Sequence, residues 1–220
     1  MVTYVNPVSG ERSELSAASL ANSAAKIANA LRSEFDLEPG AVVGLRIPPH
    51  WQRAAWCAGT WTAGCAIDVD TVEADLIVAG PAEARTLAEA GARDVAVVSL
   101  HPFGLPIAET LPAGCLDVTL TVRQQPDAYL FEPPGPADLA IAGTRAATQG
   151  DVLQHAADLA ERWDLSSGGR LLVDRLTRPE DAWLGAFAVP LVIGGSVVIV
   201  DGIGDGAELR EQERITAIAR

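Results

Sequence analysis

Short runs rich in Val, Ile and Leu alternate along this chain with amphipathic stretches of ten or more residues, and that alternation restricts the fold more than any other feature. Residues 41–47 (AVVGLRI), 65–69, 75–79 (DLIVA), 95–100, 138–142, 170–174 and 196–201 have the composition of strands. Between them, Leu20, Ala24, Ile27, Leu31 and Phe35 recur on one helical face. Trp51, Ala54, Ala58 and Trp61 do the same over 51–63, and Val152, Ala156, Leu159 and Trp163 over 151–163. Ser13 is the expected N-cap of the first helix, with Glu14 in its first turn. Gly64 is the expected stop of the second helix, and Pro81 opens a third that Gly91 closes. A helix over 179–189 and a charged terminal helix complete the pattern. Strands joined by helices of this length form βαβ units. The expected fold class is therefore α/β, layered, with a mainly parallel sheet and flanking helices.

The pattern weakens from 101 to 136, where proline stands at 102, 106, 112, 126, 133, 134 and 136. Strands are expected there only near 116–122 and 128–131. This stretch marks a boundary between a first α/β subdomain, 1–125, and a second, 126–220, unless the two form one continuous domain.

Charge and cysteine usage exclude several function classes. The net charge of −13 opposes nucleic-acid binding, which runs on clustered Lys and Arg. Cys57, Cys65 and Cys115 are odd in number and include no CxxC pair, so neither a disulfide framework nor a zinc site is expected. Residues 182–200 lack charge over nearly the length of a membrane span. Pro190 and Gly194-Gly195 interrupt them, and Asp181 and Asp201 flank them, so a buried helix–turn–strand is expected instead. The first residues carry no basic region followed by an apolar run, so no leader is expected and the chain is placed in the cytoplasm.

Four passages carry a family resemblance. They are LEPGAVVGLRIPPHWQRAAWCAGTWTAGCAI (37–67), DLIVAG (75–80), GDVLQHAADLAERWDLSSGGRLLV (150–173) and AWLGAFAVPLVIGGSVVIVDG (182–202). In order and pattern they resemble the N-terminal part of the adenylate-forming superfamily, which includes acyl-CoA synthetases, luciferases and peptide-synthetase adenylation domains. The resemblance implies an ATP-binding loop, rich in Ser, Thr and Gly and ending in lysine, just before the third passage. Here that stretch is IAGTRAATQGD, 141–151. Gly143, Thr144, Arg145, Thr148 and Gly150 are its candidate cofactor-binding residues, a degenerate remnant. Glycine admits phosphate to the backbone and hydroxyls donate to it, but the loop lysine is absent. Lys26 is the only lysine in the chain, and it falls in the first helix. The second lysine that the resemblance implies, in a C-terminal lid, has no counterpart either. Asp151 is a good N-cap for the helix that follows, but its carboxylate opposes an anion there. The acyl pocket, the adenine-contacting segment and the ribose- and magnesium-binding carboxylates of the family come after the region that these 220 residues match.

The remaining candidates read as structural. His50, His101 and His155 have no partner at metal-ligand spacing, although His155 follows Asp151 by four. Ser166-Ser167-Gly168-Gly169 is a turn without a nucleophile elbow. Gly202, Gly204 and Gly206, with Asp201 and Asp205, form an acidic loop rather than a phosphate turn. No catalytic residue, metal or cofactor is expected. The chain reads as a non-catalytic protein acting through a ligand or a partner. The alternatives are a residual binder of nucleotide or CoA-type ligands and a small enzyme of unrelated chemistry. An acidic or closed loop at 143–151 favours the first. A homodimer, or a separate protein partner, is also expected. Trp51, Trp56 and Trp61 cannot all face one way on a helix, and an orphaned sheet edge invites pairing. In the competing view, the terminal segment 208–220 folds back and covers that surface.

Overall fold

The computed structural model describes residues 1–69, 73–92, 94–202 and 206–220. The chain opens with β1 (Val2–Asn6), β2 (Glu11–Leu15), α1 (Ala17–Ser33), β3 (Val42–Arg46), α2 (Trp51–Thr62) and β4 (Ala66–Asp68). There follow β5 (Leu76–Ala79), α3 (Pro81–Glu89), β6 (Val95–Val97), β7 (Cys115–Asp117), α4 (Thr119–Arg123) and β8 (Leu139–Ile141). A 3-10 turn (Gly143–Arg145) leads to β9 (Ala147–Thr148), α5 (Gln149–Arg162) and β10 (Arg170–Val173). The last elements are α6 (Pro179–Ala186), α7 (Ala188–Val192), β11 (Ser196–Val200), α8 (Gly206–Gln212) and β12 (Ala217–Ile218).

These elements divide into two compact units. The first comprises Met1–Leu20, Pro49–Ala54 and Gly150–Arg220, and the second Ala21–Pro48 and Ala55–Gln149. Each holds one sheet. In the first unit the strand order is β12-β10-β11-β1-β2, parallel except for the β1–β2 hairpin. In the second it is β7-β6-β5-β3-β4-β8-β9, parallel except for β8–β9. The expected mainly parallel α/β class therefore holds. Position 125/126, where the prolines place a boundary, falls inside the second unit.

Burial follows the sequence pattern closely. Ile77, Ala79, Ala84, Leu87, Val95 and Val97 pack together in the second unit. Leu172, Val198 and Val200 do so in the first. Leu20, Ala24, Ile27 and Leu31 are buried, as are Val152, Ala156, Leu159 and Trp163. Gly59 admits very close packing of α2 on α1, since a Cβ added there would lie 2.5 Å from that of Ile27. Residues 182–200 resolve into the end of α6, α7 and β11, and no helix among the described residues is long and apolar enough to cross a membrane.

Several elements differ from expectation, each for a local reason. The β1–β2 hairpin takes up the first fifteen residues, so Ser13 lies in a strand, and Ser16 caps α1 instead, its Oγ accepting the Ser19 N–H at 3.0 Å. Asp117 ends the strand expected over 116–122. Its carboxylate accepts the backbone N–H groups of Ile107 at 2.7 Å and Thr119 at 2.8 Å, and α4 follows. Residues 128–131 form no strand, because Asn29 takes up the Ala128 carbonyl and the Leu130 N–H. The helix expected over 179–189 breaks at Phe187, where the Pro190 ring conflicts with the carbonyl of Ala186 four residues earlier. Asp151 is the third residue of α5 rather than its cap.

The tryptophans of α2 form no exposed face, since Trp56 and Trp61 are buried and Trp51 is half-buried. The terminal segment instead folds onto its own sheet. β12 pairs with β10, and Ala217 and Ala219 are buried. Arg170 anchors it, donating to the Glu213 carbonyl at 2.6 Å and to its carboxylate at 2.7 Å.

Candidate functional site

The loop singled out in the sequence lies at one edge of the second unit's sheet. Ile141 of β8 pairs with Ile67 of β4, and the Ala142 N–H donates to the Ile67 carbonyl at 2.9 Å. The chain then turns over Gly143, whose φ of +83° suits glycine, and tightens into the 3-10 turn. It returns antiparallel as β9, pairing Leu139 with Thr148 and Ile141 with Ala147. The Gln149 N–H donates to the Asp138 carbonyl at 2.8 Å, and the Gln149 side chain donates to the Trp61 carbonyl at 2.9 Å. The loop is thus a short, tied hairpin.

Of the five candidate residues, Gly143, Thr144 and Arg145 share the exposed turn. Thr148 is half-buried in β9, and Gly150 lies in the first turn of α5. A residue that the sequence did not single out stands against them. Asp68, the last residue of β4, places Oδ2 only 2.8 Å from where a Gly143 Cβ would stand. The side of the turn at Gly143 therefore meets a carboxylate. The contact spans 75 residues of chain, so no local spacing announces it.

Lys26 is fully engaged elsewhere in the same unit. Its ammonium donates to the carbonyls of Arg123 at 3.1 Å and Gln125 at 2.5 Å, and lies 2.9 Å from the Asp127 carboxylate. It serves the fold, as its place in the first helix implies.

The first unit holds a polar cluster that the sequence left unassembled. His50 is 3% exposed and lies edge-on to Tyr4, with ring centroids 4.4 Å apart. Its Nδ1 accepts the Gln52 N–H at 3.2 Å, so it caps α2. Its Nε2 has no hydrogen-bond partner, the nearest acid being Glu11 at 3.7 Å. Burial pushes the His50 pKa down to about 4, so the ring is neutral. Tyr4 donates to the Asp201 carboxylate at 3.2 Å, and burial pushes its phenol up to about 12. His155 faces Asp181 at 3.9 Å rather than Asp151. Asp181 is buried and also accepts from Arg162 at 3.2 Å and Arg178 at 2.5 Å. The Ser166–Gly169 turn is closed by the Gly169 N–H donating to the Ser166 carbonyl at 2.9 Å. Of the glycine-rich loop after β11, Gly204 and Asp205 lie outside the described residues. Among the described residues no three His, Cys, Asp or Glu side chains gather as a metal site.

A protein of Mycobacterium tuberculosis described as a TIGR03089 family protein is 36% identical over 205 residues, covering 90% of this chain and 82% of its own length. No protein-family model matches the sequence. The fold is similar to part of an acyl-CoA synthetase of Brucella canis (TM-score 0.78, 20% identity), covering 99% of this chain and 43% of that one. It is also similar to part of MatB from Rhodopseudomonas palustris (TM-score 0.68, 17% identity), covering 98% of this chain and 45% of that one. The nonribosomal peptide synthetase FmoA3, solved with AMPPNP bound, gives a TM-score of 0.61 at 26% identity over 97% of this chain and 23% of its own. The chain spans less than half the length of each of these solved structures.

Proposed function

The chain belongs to the TIGR03089 family, and from that membership we propose that it is a non-catalytic protein on part of the adenylate-forming fold, acting by binding a ligand or a partner. The observation that carries this reading is the loop of 141–151. It has no lysine, it is closed into a tied hairpin, and Asp68 sets a carboxylate beside its glycine. Stabilising charge on a transferring phosphoryl group is usually the largest catalytic contribution, and this loop opposes it. The test is acid-dependent ATP–pyrophosphate exchange by the purified chain across a panel of carboxylic acids. No exchange above a no-enzyme control is expected, and exchange with any acid overturns the reading.

A second reading, a residual binder of nucleotide or CoA-type ligands, draws on the exposed Arg145 and Thr144 in the turn. If such a ligand binds there, Arg145→Ala weakens it by about 1–3 kcal/mol in a calorimetric titration. Unchanged affinity removes the loop as the site.

The protein is proposed to work in the cytoplasm, where Cys57, Cys65 and Cys115, none of them in a disulfide, stay reduced. It is also proposed to self-associate. Support comes from edge strand β7 of the second unit, which exposes Leu116, and from exposed Phe103 and Leu120 nearby in sequence.

A further inference from the structure

Asp68 is more than a neighbour of the loop. It ends β4, and β4 lies directly beside β8, so the strand that leads into the turn also fixes the carboxylate against it. The approach is close: a Gly143 Cβ would stand 2.8 Å from Oδ2 and 3.6 Å from Cγ. The turn itself offers what an oxyanion requires. Gly143 has no side chain to hold a ligand off, Thr144 exposes a hydroxyl and Arg145 a guanidinium. A carboxylate at that place fills the space beside Gly143 that an oxyanion would take. It also repels any second anion brought within a few ångströms of it. The residue is held by the ladder of the sheet, so its effective concentration at the turn far exceeds that of a free ligand.

We propose that Asp68 is an autoinhibitory carboxylate, whose place and charge beside Gly143 keep phosphate groups from the turn of Gly143, Thr144 and Arg145. The inference rests on the non-catalytic reading above and supplies a physical cause for it. It also separates two deficits of the loop. The missing lysine removes attraction, whereas Asp68 adds exclusion, and only the second is reversed by a single substitution.

The experiment compares the full chain with Asp68→Ala and with Asp68→Asn, which keeps the shape and removes the charge. Inorganic phosphate and ADP are titrated separately against each, with the backbone amides of Gly143, Thr144 and Arg145 followed by NMR. The native chain is expected to show no shift at these amides. Asp68→Ala is expected to bind both probes about tenfold or more tighter than the native chain, with Asp68→Asn between the two. Adding Arg145→Ala to Asp68→Ala is expected to abolish the gain. An equal gain for both probes makes phosphate alone the ligand, and a larger gain for ADP adds the nucleoside. Variants that bind no better than the native chain overturn the proposal. Should the variants not fold, the native chain still decides it. Its three amides are expected to stay unshifted even at high phosphate or ADP concentration, and shifts there overturn it. ATP–pyrophosphate exchange by Asp68→Ala keeps the two readings apart. Phosphate binding without exchange supports both, exchange overturns only the non-catalytic reading, and absent phosphate binding overturns only the Asp68 proposal.

Discussion

Lys26 and His50 show how far a single residue's role is set by what surrounds it. Lys26 closes the carbonyls at the end of α4 and pairs with Asp127, and its side chain is only 27% exposed. Lys26→Met is expected to destabilise the protein by about 1–2 kcal/mol, the scale of a charge-assisted hydrogen bond partly open to solvent. The loss should appear in urea denaturation, with faster hydrogen exchange localised to 123–130. His50 makes stability depend on pH. Its folded pKa is depressed by burial to about 4, whereas in the unfolded chain it is about 6.5. The unfolded state therefore binds the proton first. Stability from this residue is complete above about pH 6.5 and falls as pH drops from there toward about 4. A urea midpoint measured against pH should fall over that window, and His50→Asn should flatten the fall. The place of Lys26 in the first helix was legible from the sequence. Asp68 was not, because its partner is 75 residues away and a lone aspartate at a strand end looks like any turn residue.

Elements were legible where periodicity was strong and illegible where tertiary contacts decide. The helices with a continuous apolar face appear where predicted, and α2 carries a further constraint in Gly59. A methyl group at Gly59 would meet the Ile27 side chain at 2.5 Å. Gly59→Ala is expected to cost about 1–3 kcal/mol through overpacking. The double variant with Ile27→Ala should cost less than the sum of the two, and strict additivity in thermal melts would contradict the contact. The strand β12 has two residues and no periodic signal at all; its place is set by Arg170 and Glu213. Arg12 adds a second guanidinium to Glu213 at 2.7 Å, and the two arginines hold its carboxyl below the usual carboxylate range. Glu213→Ala leaves the largely buried Arg170 without its ion pair, and a loss of about 3–5 kcal/mol is expected. Hydrogen exchange should place the loss in 213–220. Strand β2 escaped prediction because its alternating charges suit a sheet edge and carry little apolar pattern.

For the molecule as a whole, the α/β class was legible from alternation alone, and the two-sheet division was not. Proline density suggested a cut along the sequence, whereas each unit gathers separate stretches of chain. Linear composition records where a chain is irregular but not which strands find each other. The proposed homodimer is checked at this scale by light scattering at micromolar concentration. A mass near twice 22.9 kDa is expected, and a mass of 22.9 kDa would count against it. The placement of β1 has a consequence for how the protein is made. Val2 of β1 lies against Val197 of β11, so one of the first strands to be synthesised must wait for one of the last. At roughly 5–20 residues per second, that interval is on the order of ten seconds or more. Throughout it the edge of β1 that β11 will take stays unpaired, while 21–149 already contains every described strand of the other sheet. The nascent chain thus leaves the ribosome with one unit able to mature early and a hairpin whose apolar strand β1 a chaperone has reason to hold until β11 arrives.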